Sequence, residues 1–403
     1  MKKITLILVL LCSINISSQT LDDYLQTASL NNSDIKVKTA EFELAKEQVN
    51  EVANLENTEF DFGVFVLTPE TRVGSQLFKV GASQELPWFG DLDAQKTLQA
   101  TKAEAKRFDA ILSERELLYQ VKVAYYNLYK NEAVTGILKD NKEILKIYEN
   151  MALAALENNK ATMSDVLRIR VQKNELHSKI FQNINSIDLL SRNFNRLLQR
   201  PINELIKVTD SLNVLDILNV NNEIENHPLL EKINAQNAIY ESELEVINKD
   251  QAPKINVGID YFLVDERTNA NPPDNGKDIL MPKVSLSIPL FNVKKYKSQK
   301  SQVSIQEDIV KNKIENQKNL LEMELESTKL NLNNSILNVV AAQKNKAEIQ
   351  LAINVDLKAY ETGILDYDKI LRLQIQKIKY QLMEIEATKN AFIAKSKIEY
   401  LTD

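Results

Sequence analysis

The sequence is poor in residues that break a chain and in residues that do chemistry. Its 403 residues hold 8 glycines, 9 prolines, 2 histidines, 1 cysteine and 1 tryptophan, where average usage gives roughly 28 glycines and 20 prolines. Few breakers mean few turns, and therefore long elements. His177 and His227 stand fifty residues apart without a second histidine or a cysteine nearby, which excludes a zinc site of the usual ligand spacing. No Walker loop, GxGxxG, GxSxG or HExxH motif occurs, so neither an enzyme nor a cofactor site is spelled here. The net charge of −6 excludes the basic footprint that a nucleic-acid partner needs. With 44% hydrophobic and 26% charged residues, disorder is excluded as the main state.

Met1-Lys2-Lys3, the apolar run Ile4 to Cys12 and the small polar stretch Ser13 to Ser18 predict a secretory signal peptide over 1–19, too short to serve as a membrane anchor. Cys12 follows Leu10-Leu11 rather than the small residues of a lipoprotein signal, which makes lipidation the weaker reading. No later stretch reaches eighteen apolar residues, so no membrane helix is expected.

The rest of the chain is written twice. Ala40 maps to Ala235, Val52 to Ile247 and Gly63 to Gly258 at an offset of 195. Leu86-Pro87-Trp88-Phe89-Gly90 matches Ile288-Pro289-Leu290-Phe291-Asn292 at 202, and Val166 to Gln172 matches Ile370 to Gln376 at 204. The expected division is a first repeat over 20–200 (helix 20–57, β-hairpin 58–88, helical hairpin 91–198), a linker over 201–225, and a second repeat over 226–403 (helix, β-hairpin 253–291, helical hairpin 293–400).

The strand segments alternate with a period of two. Phe60, Phe62, Val64 and Val66 share a face, as do Ile255, Val257, Ile259, Tyr261 and Leu263; Val284, Leu286 and Ile288 share another. Asp61, Lys79, Ser83, Glu85, Asn256, Asp260, Lys283 and Ser285 occupy the opposite faces. Strands of about ten residues cross a bilayer at a tilt, although a small soluble sheet has the same alternation. The helical segments carry heptads: Val166, Ile180, Ile187 and Phe194; Leu325, Leu332, Val339 and Ile353; Leu371, Ile378, Ile385 and Phe392. These are coiled-coil seams. Proline-free stretches at 91–157 and 293–360 predict helices of roughly 100 Å each, a poor basis for a compact enzyme. Four strands cannot close a barrel, and open edges cannot sit in lipid. Chains would have to pool strands, and a trimer would give twelve.

With these features the sequence resembles the TolC-like outer-membrane efflux channels, and Gln84-Glu85-Leu86-Pro87-Trp88-Phe89-Gly90 resembles the strand-to-helix junction of the CusC/CzcC-like cation-efflux branch. The resemblance implies a mainly α fold with membrane β. In such a fold each tandem-repeat chain gives four β-strands and long coiled-coil helices to a trimeric 12-strand β-barrel and a periplasmic α-helical barrel. It implies a homotrimer in the outer membrane of a Gram-negative bacterium, among outer-membrane lipid, with its helices in the periplasm. Its partners would be a periplasmic membrane fusion (adaptor) protein and an inner-membrane pump of the RND type. Its function would be passive export, with metal cations as cargo. A multidrug or type I protein-secretion channel is the alternative within this class, and a soluble exported coiled-coil scaffold is the alternative outside it.

Three groups of site residues follow from the resemblance. Asn159, Lys160, Ala161 and Thr162 in one repeat, with Gly363, Ile364 and Leu365 in the other, mark the helical tips that dock an adaptor. Asp165, Arg168, Asp366, Asp368 and Arg372 mark a periplasmic gate or selectivity ring, although helix caps and i,i+4 pairs account for the same residues. Pro87, Trp88, Phe89, Gly90, Pro289 and Phe291 mark the barrel-to-tube junction, where proline fixes φ and ends a strand.

Overall fold

The computed structural model describes residues 20–52, 54–209, 212–217, 224, 226–361 and 367–402. The leader read over 1–19 and the turn residues Gly363, Ile364, Leu365 and Asp366 lie outside the described residues. The chain is mainly helical with one small antiparallel sheet. Its elements run α1 (Leu21–Asn31), α2 (Ser33–Glu51), β1 (Glu59–Val64), β2 (Glu70–Thr71), β3 (Gly74–Leu86), α3 (Asp91–Glu157) and α4 (Met163–Leu197). After a 3-10 turn at Val214–Ile217 come α5 (Pro228–Lys249), β4 (Lys254–Asp265), β5 (Ile279–Ser287), α6 (Val293–Glu361) and α7 (Tyr367–Thr402). The two proline-free stretches are single helices of 67 and 69 residues. The first helix, expected as one element, is two: Asn32 takes an extended ψ of 127° while its N–H still bonds Ala28 O at 3.0 Å. Asn32 and Ser33 offer the backbone polar alternatives to the helical ladder, which is how such residues end helices.

Two compact units form, and they divide the chain differently from the sequence repeats. One takes Met1–Ser33, Glu114–Ile224 and Leu321–Asp403; the other takes Asp34–Ser113 and Glu225–Leu320. Each repeat contributes to both.

In the first, helical unit, the heptads are the core. Val166, Ile169, Leu176 and Ile180 of α4 pack with Leu138, Leu145, Tyr148 and Ala152 of α3 and with Tyr367, Ile370, Leu371 and Ile378 of α7. On α6 the seam Leu321, Leu325, Leu332, Val339 and Ile353 is buried, with the small residues Thr328, Ser335 and Ala342 buried beside it. Burying a leucine or isoleucine side chain contributes about 1.5–3 kcal/mol, so this stripe, not helix propensity, holds the unit. A polar layer interrupts it: Gln374 donates to Asn141 Oδ1 at 2.6 Å, and Asn141 donates to Gln381 Oε1 at 2.9 Å and to Ile137 O at 2.7 Å. Tyr24 of α1 meets Tyr125 and Phe194 with ring centroids 6.0 and 5.1 Å away, and its hydroxyl both donates to Lys207 O and accepts from Lys207 N.

In the second unit the strand order is β1-β3-β4-β5, all neighbours antiparallel, with β2 pairing the end of β3. The β3–β4 pairing, Val80↔Tyr261 and Ala82↔Ile259 among others, joins one repeat to the other. Register then aligns the apolar positions across all four long strands: Phe62, Val80, Tyr261 and Leu280 form one row, and Phe60, Ala82, Ile259 and Pro282 the next. On this face Phe60, Phe62, Val64, Val284 and Leu286 are exposed. Among the described residues β1 and β5 each pair on one side only.

Candidate functional site

The turn between α3 and α4 places Asn159, Lys160, Ala161 and Thr162 in a closed geometry. Lys160 N donates to Ala155 O at 2.8 Å and Asn159 N to Leu156 O at 3.0 Å, the paired bonds of a Schellman end. Asn159 has φ 54°, so asparagine fills the left-handed position usually given to glycine. Thr162 and Asp165 then cap α4 reciprocally: Asp165 N donates to Thr162 Oγ1 at 3.3 Å and Thr162 N to Asp165 Oδ2 at 2.9 Å. This is a capping box, and it gives Asp165 a local partner rather than one on another helix.

Arg168, Asp368 and Arg372, expected from the sequence at a gate, come together across two helices. Asp368 accepts from Arg168 Nη1 of α4 at 2.9 Å and from Arg372 Nε, one turn along α7, at 2.7 Å. Hydrogen bonding from Arg372, and then from Arg168, holds the Asp368 carboxyl below the usual carboxylate range. A second cross-helix cluster was not foreseen from the sequence. Glu149 of α3, largely buried, accepts from Arg170 Nε at 2.6 Å and from Lys173, both on α4. Lys173 first, then Arg170, lower the Glu149 carboxyl. Only the pairing of α3 with α4 brings these residues together, so no local spacing signals them. Beneath both clusters Tyr367 is buried against Tyr148 and Tyr360, with ring centroids 5.7 and 5.5 Å away, and burial pushes its phenol up.

In the sheet unit the residues expected at a strand-to-helix junction sit at the strand ends. Pro87 and Pro289 follow β3 and β5 by one and two residues. Gly90, at φ 80°, starts α3, with Ala94 N donating to its carbonyl at 3.0 Å; only glycine adopts that backbone without strain. Asn292 occupies the matching place before α6, accepting from Tyr296 N at 3.1 Å. Trp88 and Phe89 meet edge to face at 5.9 Å, and Phe89, Leu290 and Phe291 are exposed, Phe291 at 97%.

The polar face of the sheet carries a cluster that the sequence supplies residue by residue but does not assemble. Lys79 of β3 lies 2.8 Å from Asp61 of β1 and 3.2 Å from Asp260 of β4; Lys283 of β5 lies 2.8 Å from Asp260 and 3.8 Å from Asp61. Glu85 and Lys254 pair at 2.9 Å further along the same face. His227 is buried and accepts from Leu229 N at 3.1 Å, capping α5, while His177 lies exposed beside Lys142 and Phe181. Among the described residues no three His, Cys, Asp or Glu gather as a metal site, and no helix is long and apolar enough to cross a membrane.

No protein-family model matches the sequence, and no curated protein matches it. Solved structures do. The outer membrane protein VceC of Vibrio cholerae superposes with a TM-score of 0.72 at 10% identity, over 94% of this chain and 95% of that one. CusC, a protein whose transmembrane channel formation has been described, gives 0.72 at 14% identity over 95% and 92%. The outer-membrane channel OprN gives 0.71 at 16% over 94% and 89%. The likeness to CusC is no greater than that to VceC, so no branch is singled out. Across nearly its whole length, the chain has the fold of the outer-membrane channel proteins.

Proposed function

We propose that this protein is the outer-membrane exit duct of a tripartite efflux system, a passive channel that works as a homotrimer. The observation that carries this reading is the sheet: four antiparallel strands with an exposed apolar face, a charged opposite face, and β1 and β5 open at the two edges. Lipid covers the apolar face. Further copies cover the edges, because unpaired strand edges do not persist in a bilayer. A second surface points to the same assembly. Met323, Leu330, Leu337 and Leu351 repeat at heptad-compatible spacing along the exposed side of α6, opposite its buried seam, and a helix with two apolar stripes packs against two neighbours.

In this reading the Asn159–Thr162 turn docks a periplasmic adaptor, whose partner is an inner-membrane pump of the RND type. Asp368 with Arg168 and Arg372 latches α4 to α7 as the periplasmic gate. Pro87 to Gly90, with Pro289 and Phe291, carries the strands into the tube at the membrane boundary, where Trp88 and exposed Phe89 and Phe291 suit an interfacial belt. Metal cations are the cargo, on the support of the Gln84 to Gly90 stretch. Expression in a Gram-negative host followed by membrane fractionation tests the duct: detergent-resistant trimers in the outer membrane are expected, and a soluble periplasmic monomer would sink it. A susceptibility panel of metals and drugs on the deletion strain tests the cargo. Sensitivity to drugs alone would replace the cation reading by a multidrug one.

A further inference from the structure

We propose that Asp61, Lys79, Asp260 and Lys283 form a charge-balanced collar inside the strand-built pore, and that Lys79 and Lys283 set its ion selectivity by neutralising two carboxylates that would otherwise filter for cations. The inference rests on the duct reading. Each of the four long strands contributes one member, and each lysine reaches both aspartates, at 2.8 and 3.2 Å for Lys79 and at 3.8 and 2.8 Å for Lys283. Two positive and two negative groups leave no net charge. All four project from the face opposite the apolar rows, the face that turns inward when a sheet closes in a membrane.

The backbone makes room for this cluster. Asp61, Gly81 and Asp260 are direct register partners, and Gly258 pairs with Lys283. A Cβ on Gly81 would stand 2.2 Å from Asp61 Oδ1 and 2.5 Å from Asp260 Oδ1, and one on Gly258 would stand 2.7 Å from Lys283 Cε. Any side chain at Gly81 would therefore push the carboxylates apart. Asp260 is almost wholly buried between the lysines. The neighbouring Glu85–Lys254 pair is balanced in the same way. Fixed charge along a low-dielectric pore wall concentrates counter-ions, and three copies in a ring triple any imbalance. A collar of self-neutralising pairs removes that preference and leaves discrimination to other parts of the pathway.

The test uses the full-length protein reconstituted in planar bilayers under a salt gradient, with reversal potential as the readout. Lys283→Gln leaves one uncompensated negative charge per chain and keeps Lys79 beside Asp260. Asp61→Asn leaves one uncompensated positive charge. The cation-to-anion permeability ratio is expected to rise at least about twofold in the first and to fall by as much in the second, well under the roughly tenfold or more that focused charge reaches in a cleft lined by one sign. The double variant is expected to return to the wild-type ratio. Unchanged ratios in assembled single variants, or shifts of both in one direction, overturn the collar. Loss of assembly in the single variants assigns the four charges to folding and overturns it too. Absence of conductance in the wild type fails the duct reading instead, so the two failures are distinguishable.

Discussion

Arg168 of α4 and Asp368 of α7 are 200 residues apart in sequence and 2.9 Å apart in space. The link has a pH signature whose direction is fixed. Arg372, then Arg168, lower the Asp368 carboxyl in the folded chain. Its stabilisation is therefore complete above the unfolded value of about 3.9 and is lost as pH falls through the folded value. Both arginines are well exposed, so the effect is small and screened by salt, within about 1 kcal/mol. Thermal melts of Asp368→Asn are expected to lie slightly below wild type from pH 5 to 8 and to converge with it below about pH 4. A constant offset across the whole range would remove the ionic link from the account.

The turn at Asn159 makes a second expectation local. Asparagine tolerates the left-handed region better than most residues, glycine better still. Asn159→Gly is expected to be neutral or slightly stabilising, while Asn159→Ala costs about 1 kcal/mol. Thr162→Ala, which removes the capping hydroxyl, costs a further ~1 kcal/mol. Differential scanning calorimetry on the three variants orders them, and a melting temperature of Asn159→Ala equal to that of Asn159→Gly would contradict the strained-turn account.

That turn also shows where the sequence was readable. The length of α3 follows from the absence of proline, its end from the Asn158-Asn159-Lys160 break rather than from any proline before Pro201, and the ends of β3 and β5 from Pro87 and Pro289. The faces of the strands followed from alternation, since period two leaves no freedom about which residues share a side. Pairing between distant segments was not readable. β3 joins β4 across α3, α4 and α5, and no local spacing in either strand specifies that partner. Asp61, Lys79, Asp260 and Lys283 were therefore legible as polar-face residues but not as a cluster. Glu149 was invisible as a partner of Arg170 and Lys173 for the same reason. Asp165 went the other way: its spacing from Thr162 is a capping signature legible in the sequence, and the cap forms.

Asn141 and Gln374 test what the buried polar layer does. Both are almost fully buried and bonded to each other, and Gln381 completes the layer. Asn141→Leu leaves the buried Gln374 amide without its acceptor and is expected to cost about 1–3 kcal/mol, while the half-buried Gln381 adds less. Removing all three polar groups, by Asn141→Leu with Gln374→Leu and Gln381→Leu, is expected to recover most of that loss. Chemical denaturation across this set measures the coupling. Additive losses would mean that the three side chains act independently.

Gly81 and Gly63 give the sharpest contrast within the sheet. They lie on neighbouring strands, β3 and β1, and both belong to the polar face. A Cβ at Gly63 would meet only Lys79 Cβ, at 3.9 Å, an ordinary contact, whereas one at Gly81 would overlap the carboxylates of Asp61 and Asp260. Gly63→Ala is therefore expected to be neutral or mildly stabilising, because it removes freedom from the unfolded chain without strain. Gly81→Ala must displace two carboxylates from their lysines, which places its cost at about 1–3 kcal/mol, the range for forcing extra volume into a filled site. Adding Asp61→Asn does not relieve the overlap, because the amide occupies the same space, but Asp61→Gly does remove one of the two obstructing side chains. Heat stability of the purified protein should therefore fall in Gly81→Ala, stay level in Gly63→Ala and recover in part in Gly81→Ala with Asp61→Gly. Equal stability of the two alanine variants would show that the space around Gly81 is not needed by the charge cluster.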